Sequence, residues 1–479
     1  MHDVGFLRDW TFIEEATRVP ALAEMVREAL VRAVFVRDDR ALTREIVETL
    51  SRPPAVTVKV KDDGEIRKLV QVVNGEEGAS TLGLRAEDFH YFRTALGVGR
   101  DREIGLIPRP RTLLTYDWLV PEQRGLQIDF GGYADIEFAE RAHRAVAQVG
   151  ATWKQLYDRA LEAGHYAPFV PTVPLDFALG DALWGDAPFA SYQWEFHFFV
   201  QALRTISSYG HRTRIGFEAV SNHGSGYDLL HAVLPLADEF FIPVAIALRL
   251  APKPAARKTL TYSFDDGAKL VAALDNLSRS GRAVDWIQVA DAVAAPMLRP
   301  GMAAEAFTAQ VMVGGSVSRV TAMEKALDGL LAGFKSKASD VPNPYDGPAD
   351  AYRKTAERVA RGVFVGEVRL PVRALAELQA ALKAYAEQTA AKAGLIASAR
   401  ASGTVSAFPV FESARERPRI YELSRGVQQI AKKIPGSVFV SRLSHLWRDD
   451  LDYVRRVDLL RRLKLEIDAA HVVQPLVRL

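Results

Sequence analysis

The 479-residue chain contains no cysteine. That excludes disulfides, thiolate-bound zinc, Cys-held iron–sulfur clusters, catalytic thiols and any cysteinyl cofactor link. A charge excess is also missing: 61 basic against 59 acidic residues leave +2. A balance of this kind favours no polyanionic partner, so no nucleic acid is expected. Long apolar runs are absent. The longest, Phe240–Leu248, is nine residues and carries Pro243, against the ~20 that a spanning helix needs. No membrane span is therefore expected. The opening MHDVGFLRDWTFIEEATRV has acids and no apolar core, so no secretory leader is expected and the location is read as cytoplasmic. Histidine pairs with metal-ligand spacing are missing, and Gly97-Val98-Gly99 and Gly314-Gly315 stand as isolated turns rather than a dinucleotide fingerprint. No metal site is proposed.

What is present describes a soluble globular protein, 48% hydrophobic and 25% charged, long enough for two or three domains. The sharpest local signal is Val146–Gly164, VAQVGATWKQLYDRALEAG. An alternating strand, Ala145–Val149, runs into Gly150. Thr152 and Gln155 have capping-box spacing. Trp153, Leu156, Tyr157, Ala160 and Leu161 then share one helical face, and Gly164 supplies the left-handed stop.

Residues 1–50 read as a helical segment ended by Pro53-Pro54. Ala55–Val60 alternates as a strand, and Asp62 with Glu65 opens a short helix whose apolar face is Ile66, Leu69, Val70 and Val73. Ile104–Pro108 and Ile242–Leu250 read as strands, and Ala251-Pro252-Lys253-Pro254 as a domain boundary. Two strand–helix–strand units follow. The first is Thr259–Phe264, Asp266–Arg279 and Ala306–Val313. The second is Val363–Leu370, Val372–Ala390, a strand near Leu395–Ser398 and Thr404–Phe411. Lys335–Asp350 reads as the polar linker between them. Side by side, the units predict a ferredoxin-like sheet with helices on one face. Leu451–Val477 reads as a closing helix, with Leu459, Leu460 and Leu463 inward, and an apolar tail.

In this order the parts resemble the FAD-linked oxidases of the vanillyl-alcohol oxidase and p-cresol methylhydroxylase type. The carriers are Ala55–Val60 with Asp62–Val73, Gly105–Arg109, Leu126–Phe130 followed by Val146–Gly164, Gly226-Tyr227-Asp228-Leu229, Ile246–Pro254, and Leu463-Lys464 with Asp468 and Pro475. The resemblance implies an α+β architecture: a two-subdomain FAD-binding domain of the p-cresol methylhydroxylase type over 51–250, and a ferredoxin-like antiparallel cap over 255–440. A C-terminal helical return over 441–479 would pack back on the FAD domain. It further implies an FAD-dependent oxidoreductase acting on a small hydroxylated substrate, with a 2-hydroxy acid such as lactate or glycolate as the leading expectation. A homo-oligomer or a partner subunit in a redox complex is the expectation for assembly.

The cofactor residues that the resemblance implies are Pro108, Arg109, Pro110, Arg111, Thr112, Leu113, Gly180, Asp181, Ala182, Gly226, Asp228 and Val244. Three places where the family uses glycine are changed here: Arg109-Pro110-Arg111-Thr112-Leu113, Ala178-Leu179-Gly180-Asp181-Ala182, and Leu236–Phe241. Pro110 has no N–H for a phosphate, whereas the Arg109 and Arg111 guanidinium groups suit one. These changes motivate the alternative of an FAD-free paralogue serving as a structural or regulatory subunit. Asp228 reads equally well as a helix N-cap. His211, His223 and His445 are the candidate bases for a hydroxyl oxidation, and each also reads as a surface or loop residue.

Overall fold

The computed structural model describes residues 56–73, 105–108, 125–139, 142–171, 175, 178–180, 189–218, 229–234, 237–295, 306–332, 337–339, 362–412, 417–440, 462–468 and 473. The expected N-terminal helices over 1–50 lie outside them.

Three parallel strands form the first sheet in the order β1-β3-β2: β1 (Val56–Lys59), β2 (Gly105–Pro108) and β3 (Gly125–Asp129). Helix α1 (Asp63–Val73) starts where the sequence places it: Asp62 accepts from Glu65 N at 3.0 Å, and Glu65 accepts from Lys61 N at 2.7 Å. Ile66, Leu69 and Val70 are buried, as their spacing requires.

The second sheet is antiparallel, in the order β10-β9-β11-β5-β4. Its strands are β4 (Ile136–Phe138), β5 (Arg144–Gln148), β9 (Val200–Ile206), β10 (Arg212–Gly216) and β11 (Ile242–Arg249). Short pairs β6 (His165–Tyr166) with β12 (Ala251–Pro252), and β7 (Val170–Pro171) with β8 (Phe189–Ala190), flank it. The first two sheets are tied by Asp63, which accepts from the Tyr133 hydroxyl and pairs with Arg212 at 2.6 Å.

Helix α2 (Trp153–Glu162) follows β5 through Gly150. Both halves of the capping box form: Gln155 N donates to Thr152 Oγ1 at 3.1 Å, and Thr152 N to Gln155 Oε1 at 2.9 Å. Trp153, Leu156, Tyr157 and Ala160 are buried, and Leu161 packs partly buried against them. Gly150 is required by contact, since a Cβ there would lie 1.8 Å from Phe130 O. Gly164 is required by conformation, with φ +78° in open space. Two short helices, α3 (Leu229–Val233) and α4 (Ala237–Phe240), precede β11.

The third sheet has nine strands: β13 (Ala256–Phe264), β14 (Trp286–Asp291), β15 (Phe307–Gly315), β16 (Lys337–Ser339), β17 (Gly362–Phe364), β18 (Glu367–Pro371), β19 (Lys392–Ala399), β20 (Thr404–Glu412) and β21 (Val438–Val440). Its order, β16-β13-β15-β14-β19-β20-β18-β21 with β17 paired to β20 off this path, is two split-βαβ units joined edge to edge. The joint is an antiparallel seam from Gln288–Ser398 to Ala290–Ile396. Four helices serve it: α5 (Gly267–Arg279), α6 (Val317–Ala332), α7 (Leu375–Gln388) and α8 (Arg417–Lys433).

The ferredoxin-like reading therefore holds, with corrections inside it. The first unit has an extra strand, β14, between α5 and β15, and helix α6 closes that unit. The start of the supposed linker, Lys337–Ser339, pairs with β13 as β16. At the C-terminus, Leu463 is exposed rather than inward. Lys464 and Asp468 are the buried residues, paired at 3.1 Å, with Val473 N donating to Asp468 at 3.0 Å. Leu459 and Leu460 lie outside the described residues. Ser208 Oγ donates to Ile467 O at 3.3 Å, so this helix meets the β9–β10 turn.

The two glycines separate contact from conformation. Gly150→Ala should leave little folded protein, whereas Gly164→Ala should cost only about 1–2 kcal/mol, the left-handed penalty. Urea melts followed by circular dichroism check the contrast.

Candidate active site

Register assigns the two faces of the third sheet. One face presents Leu260, Tyr262 and Phe264 from β13, Phe307, Ala309 and Val311 from β15, and Val405, Ala407 and Phe411 from β20, all buried. It lies under the helices: Tyr262 donates to Asp328 of α6 at 2.8 Å, and the Tyr385 ring of α7 meets Phe411 at 6.4 Å. The opposite face carries a polar row that crosses six strands. Thr261 pairs with Gln310, Gln310 with Gln288, Gln288 with Ser398, Ser398 with Ser406, and Ser406 with Arg369. From Thr261 to Ser406 the row is buried.

The segment leaving β8 lies across this sheet at its seam. Tyr192 N donates to Asp285 O at 2.9 Å, and Ala401 N donates to Tyr192 O at 2.9 Å. Asp285 precedes β14 and Ala401 follows β19, so one residue of the N-terminal half spans the two ferredoxin-like units. Tyr166 OH adds a bond to Asp285 at 3.1 Å. Burial raises the Asp285 carboxyl above its ordinary pKa, partly offset by that bond.

Beyond Tyr192 the chain turns through Trp194 and Glu195 into a 3₁₀ turn, Phe196–Phe199. Phe196 and Phe199 are buried. Phe196 stacks on Phe189 at 3.7 Å, and Phe199 packs on Phe169 at 4.8 Å. Trp194 and Phe198 point outward, with rings 5.9 Å apart and Phe198 5.7 Å from His231.

Glu195 does not cap its own turn; its carboxylate faces the sheet instead. Arg400 Nη1 meets it at 2.5 Å and Arg369 Nη1 at 3.8 Å. Arg400 Nη2 donates to Ser406 Oγ at 2.8 Å, and Glu367 holds Arg369 in a fork at 2.9 and 3.1 Å. The cluster of two guanidinium groups and two carboxylates is formally neutral. His197 sits beside it. Burial pulls its pKa below the ordinary histidine value, with Glu195 opposing and Arg369 reinforcing. His231 Nε2 lies 3.0 Å from His197 O. A carbonyl can only accept, so that nitrogen carries the proton.

The residues proposed from sequence fall into three groups. Pro108 ends β2 opposite Ile128, while Arg109, Pro110, Arg111, Thr112, Leu113, Asp181, Ala182, Gly226, Asp228, His223 and His445 lie outside the described residues. Gly180 and Val244 converge on one residue: Gly180 N donates to Val149 O at 2.9 Å, and Val149 N to Val244 O at 3.0 Å. His211 is exposed on the turn after β9, its N–H on Ser207 Oγ at 3.2 Å. The length of β9, roughly 20 Å, separates that turn from His197. Glu195, His197, Arg369, Arg400 and the polar row were not proposed from sequence. A signal for the row existed: Gln288, Gln310, Ser398 and Ser406 each interrupt an otherwise apolar strand.

This architecture, two small sheets followed by a nine-stranded sheet with a polar row on one face, is similar in fold to p-cresol methylhydroxylase. The sequence itself matches no protein-family model and no curated protein. Among solved structures, p-cresol methylhydroxylase with substrate bound is similar at TM-score 0.66 and 12% identity, over 99% of this chain and 96% of that one. The 4-ethylphenol oxidase of Gulosibacter chungangensis, in its isoeugenol complex, is similar at TM-score 0.66 and 11% identity, over 99% and 97%. Alkyldihydroxyacetonephosphate synthase is similar at TM-score 0.59 and 15% identity, over 88% and 77%. No helix among the described residues is long and apolar enough to cross a membrane, and no group of three metal-ligating side chains forms among them.

The residues present suit a polar ring system at the seam. Ser398 Oγ and Ser191 Oγ are buried with no hydrogen-bond partner among the described residues. A buried hydroxyl left unpaired costs about 1–3 kcal/mol, which a flavin, rich in donors and acceptors, would offset. Ser398→Ala should therefore stabilise the apo-protein by about 1–3 kcal/mol, as a urea melt would show, and weaken FAD binding, as fluorescence titration would show.

Proposed function

We propose that the chain is an FAD-dependent oxidoreductase that oxidises a small hydroxylated substrate between the Trp194–Phe198 turn and the polar face of the cap sheet. The observation that carries this reading is the buried polar row running from Thr261 to Ser406, opposite the helices. A sheet retained only for structure would bury apolar residues there. The shared fold supports FAD as the cofactor. Arg109 and Arg111, which follow Pro108 in the sequence, would take its phosphates by charge, and Gly180, Val244, Ser191 and Ser398 are the further candidate contacts. When bound, FAD supplies the hydride acceptor.

The chain's own groups do the rest. Trp194 and Phe198 give an apolar wall for the body of the substrate. His197, whose pKa burial lowers, would accept the hydroxyl proton on an imidazole nitrogen while the carbon bearing that hydroxyl gives up its hydride, leaving a carbonyl. The similar structures name p-cresol, 4-ethylphenol and an alkyl dihydroxyacetone phosphate. None names a 2-hydroxy acid, and the neutral Glu195 cluster offers such a carboxylate no free cation, so that substrate is not carried forward.

The test is direct. The purified protein titrated with FAD should show perturbed flavin bands and a raised melting temperature. If neither changes, the FAD-free subunit becomes the reading. Changing Arg109 and Arg111 together to Ala should weaken binding by about tenfold or more. His197→Gln should keep FAD but slow flavin reduction by about 10²–10⁴-fold, measured by stopped flow with a panel of benzylic alcohols. The sign of the pH dependence follows from a lowered pKa. The base is neutral above it, so the wild-type rate should hold through pH 7 and fall only below the ordinary value of about 6.5.

A further inference from the structure

We propose that Glu195 is a specificity-determining residue: by neutralising Arg369 and Arg400 it makes the site accept uncharged hydroxylated ligands and reject carboxylates and phosphates. The inference rests on the functional reading above and names its ligand class. Two guanidinium forks side by side on one sheet face are what an anion site normally offers, since each can grip a carboxylate or phosphate through two N–H groups. Here the forks are occupied. Arg400 spends Nη1 on Glu195 and Nη2 on Ser406, and its side chain is only 14% exposed. Arg369 spends Nε and Nη2 on Glu367 and turns Nη1 toward Glu195.

Glu195 is the carboxylate of the cluster placed to meet a ligand. Its side chain is 38% exposed, and it adjoins the outward-pointing Trp194. Arg400 is shielded beside it, and Arg369, itself 39% exposed, already carries Glu367 in its fork, so an incoming anion meets the Glu195 carboxylate beside a paired arginine, and like charges at an interface are strongly selected against. An uncharged hydroxyl meets no such opposition and can hydrogen-bond to the carboxylate. His197, whose pKa burial lowers, adds no compensating positive charge while neutral.

Glu195→Gln keeps the size of the side chain and removes its charge. Wild type and variant would be compared for binding of p-cresol, 4-hydroxybenzoate and tyramine, which share a phenol ring and differ in charge. Binding would be read as a melting-temperature shift of the protein both with and without FAD. Wild type should bind p-cresol with no measurable 4-hydroxybenzoate binding, and the variant should gain about tenfold or more for 4-hydroxybenzoate relative to p-cresol. Equal binding of both by wild type, an unchanged ratio in the variant, or no binding of any probe by either protein would overturn the proposal. Should Glu195→Gln fail to fold, Arg369→Gln leaves the cluster one charge negative and should shift preference toward tyramine; no shift is equally fatal. A changed probe ratio in a protein that never takes up FAD would sink the oxidoreductase reading and keep this one.

Discussion

The backbone of Tyr192 bridges the two ferredoxin-like units of the third sheet at their seam. The seam between β14 and β19 is short, running only from Gln288–Ser398 to Ala290–Ile396. Beyond it the strand ends at Asp285 and Ala401 face each other with their polar groups free for a third strand. Tyr192 fills that place with one accepted and one donated bond. Buried backbone groups must be paired, so the segment 189–192 is a structural member of the cap although the chain reaches it much earlier. The same insertion brings Glu195 and His197 against the polar face. Position in the fold and position in the site thus have one cause.

The polar row needs an explanation because it is expensive. Amides and hydroxyls removed from water each lose solvation that only a partner restores. Part of the row is internally satisfied: Gln310 donates to Thr261 at 3.3 Å, and Ser406 accepts from Arg400 at 2.8 Å. Ser398 is not satisfied among the described residues. The helix-covered face of the same strands is mostly apolar, with buried Asp291 and the Tyr262 hydroxyl as exceptions, so the asymmetry is not a property of these strands in general.

Local signals in the sequence were accurate where the physics is local. The Thr152 cap, the buried stripe of α2 and the left-handed Gly164 depend on residues within a few positions of one another, and each is realised. The ferredoxin-like units were legible for the same reason. What failed needed partners distant in sequence. β14 is buried along its whole length, so WIQVAD shows no alternation to distinguish a strand from a buried helix turn. Leu463 was assigned inward from apolarity, yet a buried Lys464–Asp468 pair fixes which side of that helix is covered. The site was least legible of all: Glu195 and Arg400 are brought together only by Tyr192 crossing the seam.

Stability alone does not account for the Glu195 cluster. Partly exposed ion pairs contribute about 0–1 kcal/mol, and more buried ones often do no better than an apolar replacement, because desolvation offsets the attraction. Arg400 is mostly buried and Glu195 is not, so the pair combines a desolvation cost on one side with solvent screening on the other. Replacing Arg400 and Glu195 by a Leu and an Ala would satisfy the fold at little loss. An arrangement that gains so little in stability, yet holds two arginines each already paired with a carboxylate beside an exposed aromatic wall, is better explained by what it admits. A site of this kind can still hydrogen-bond a hydroxyl, because every carboxylate has acceptor capacity left after one guanidinium. It has no unpaired cation to hold an anion. The chemistry of the cleft is therefore set less by the residues that would react than by the charge that Glu195 cancels.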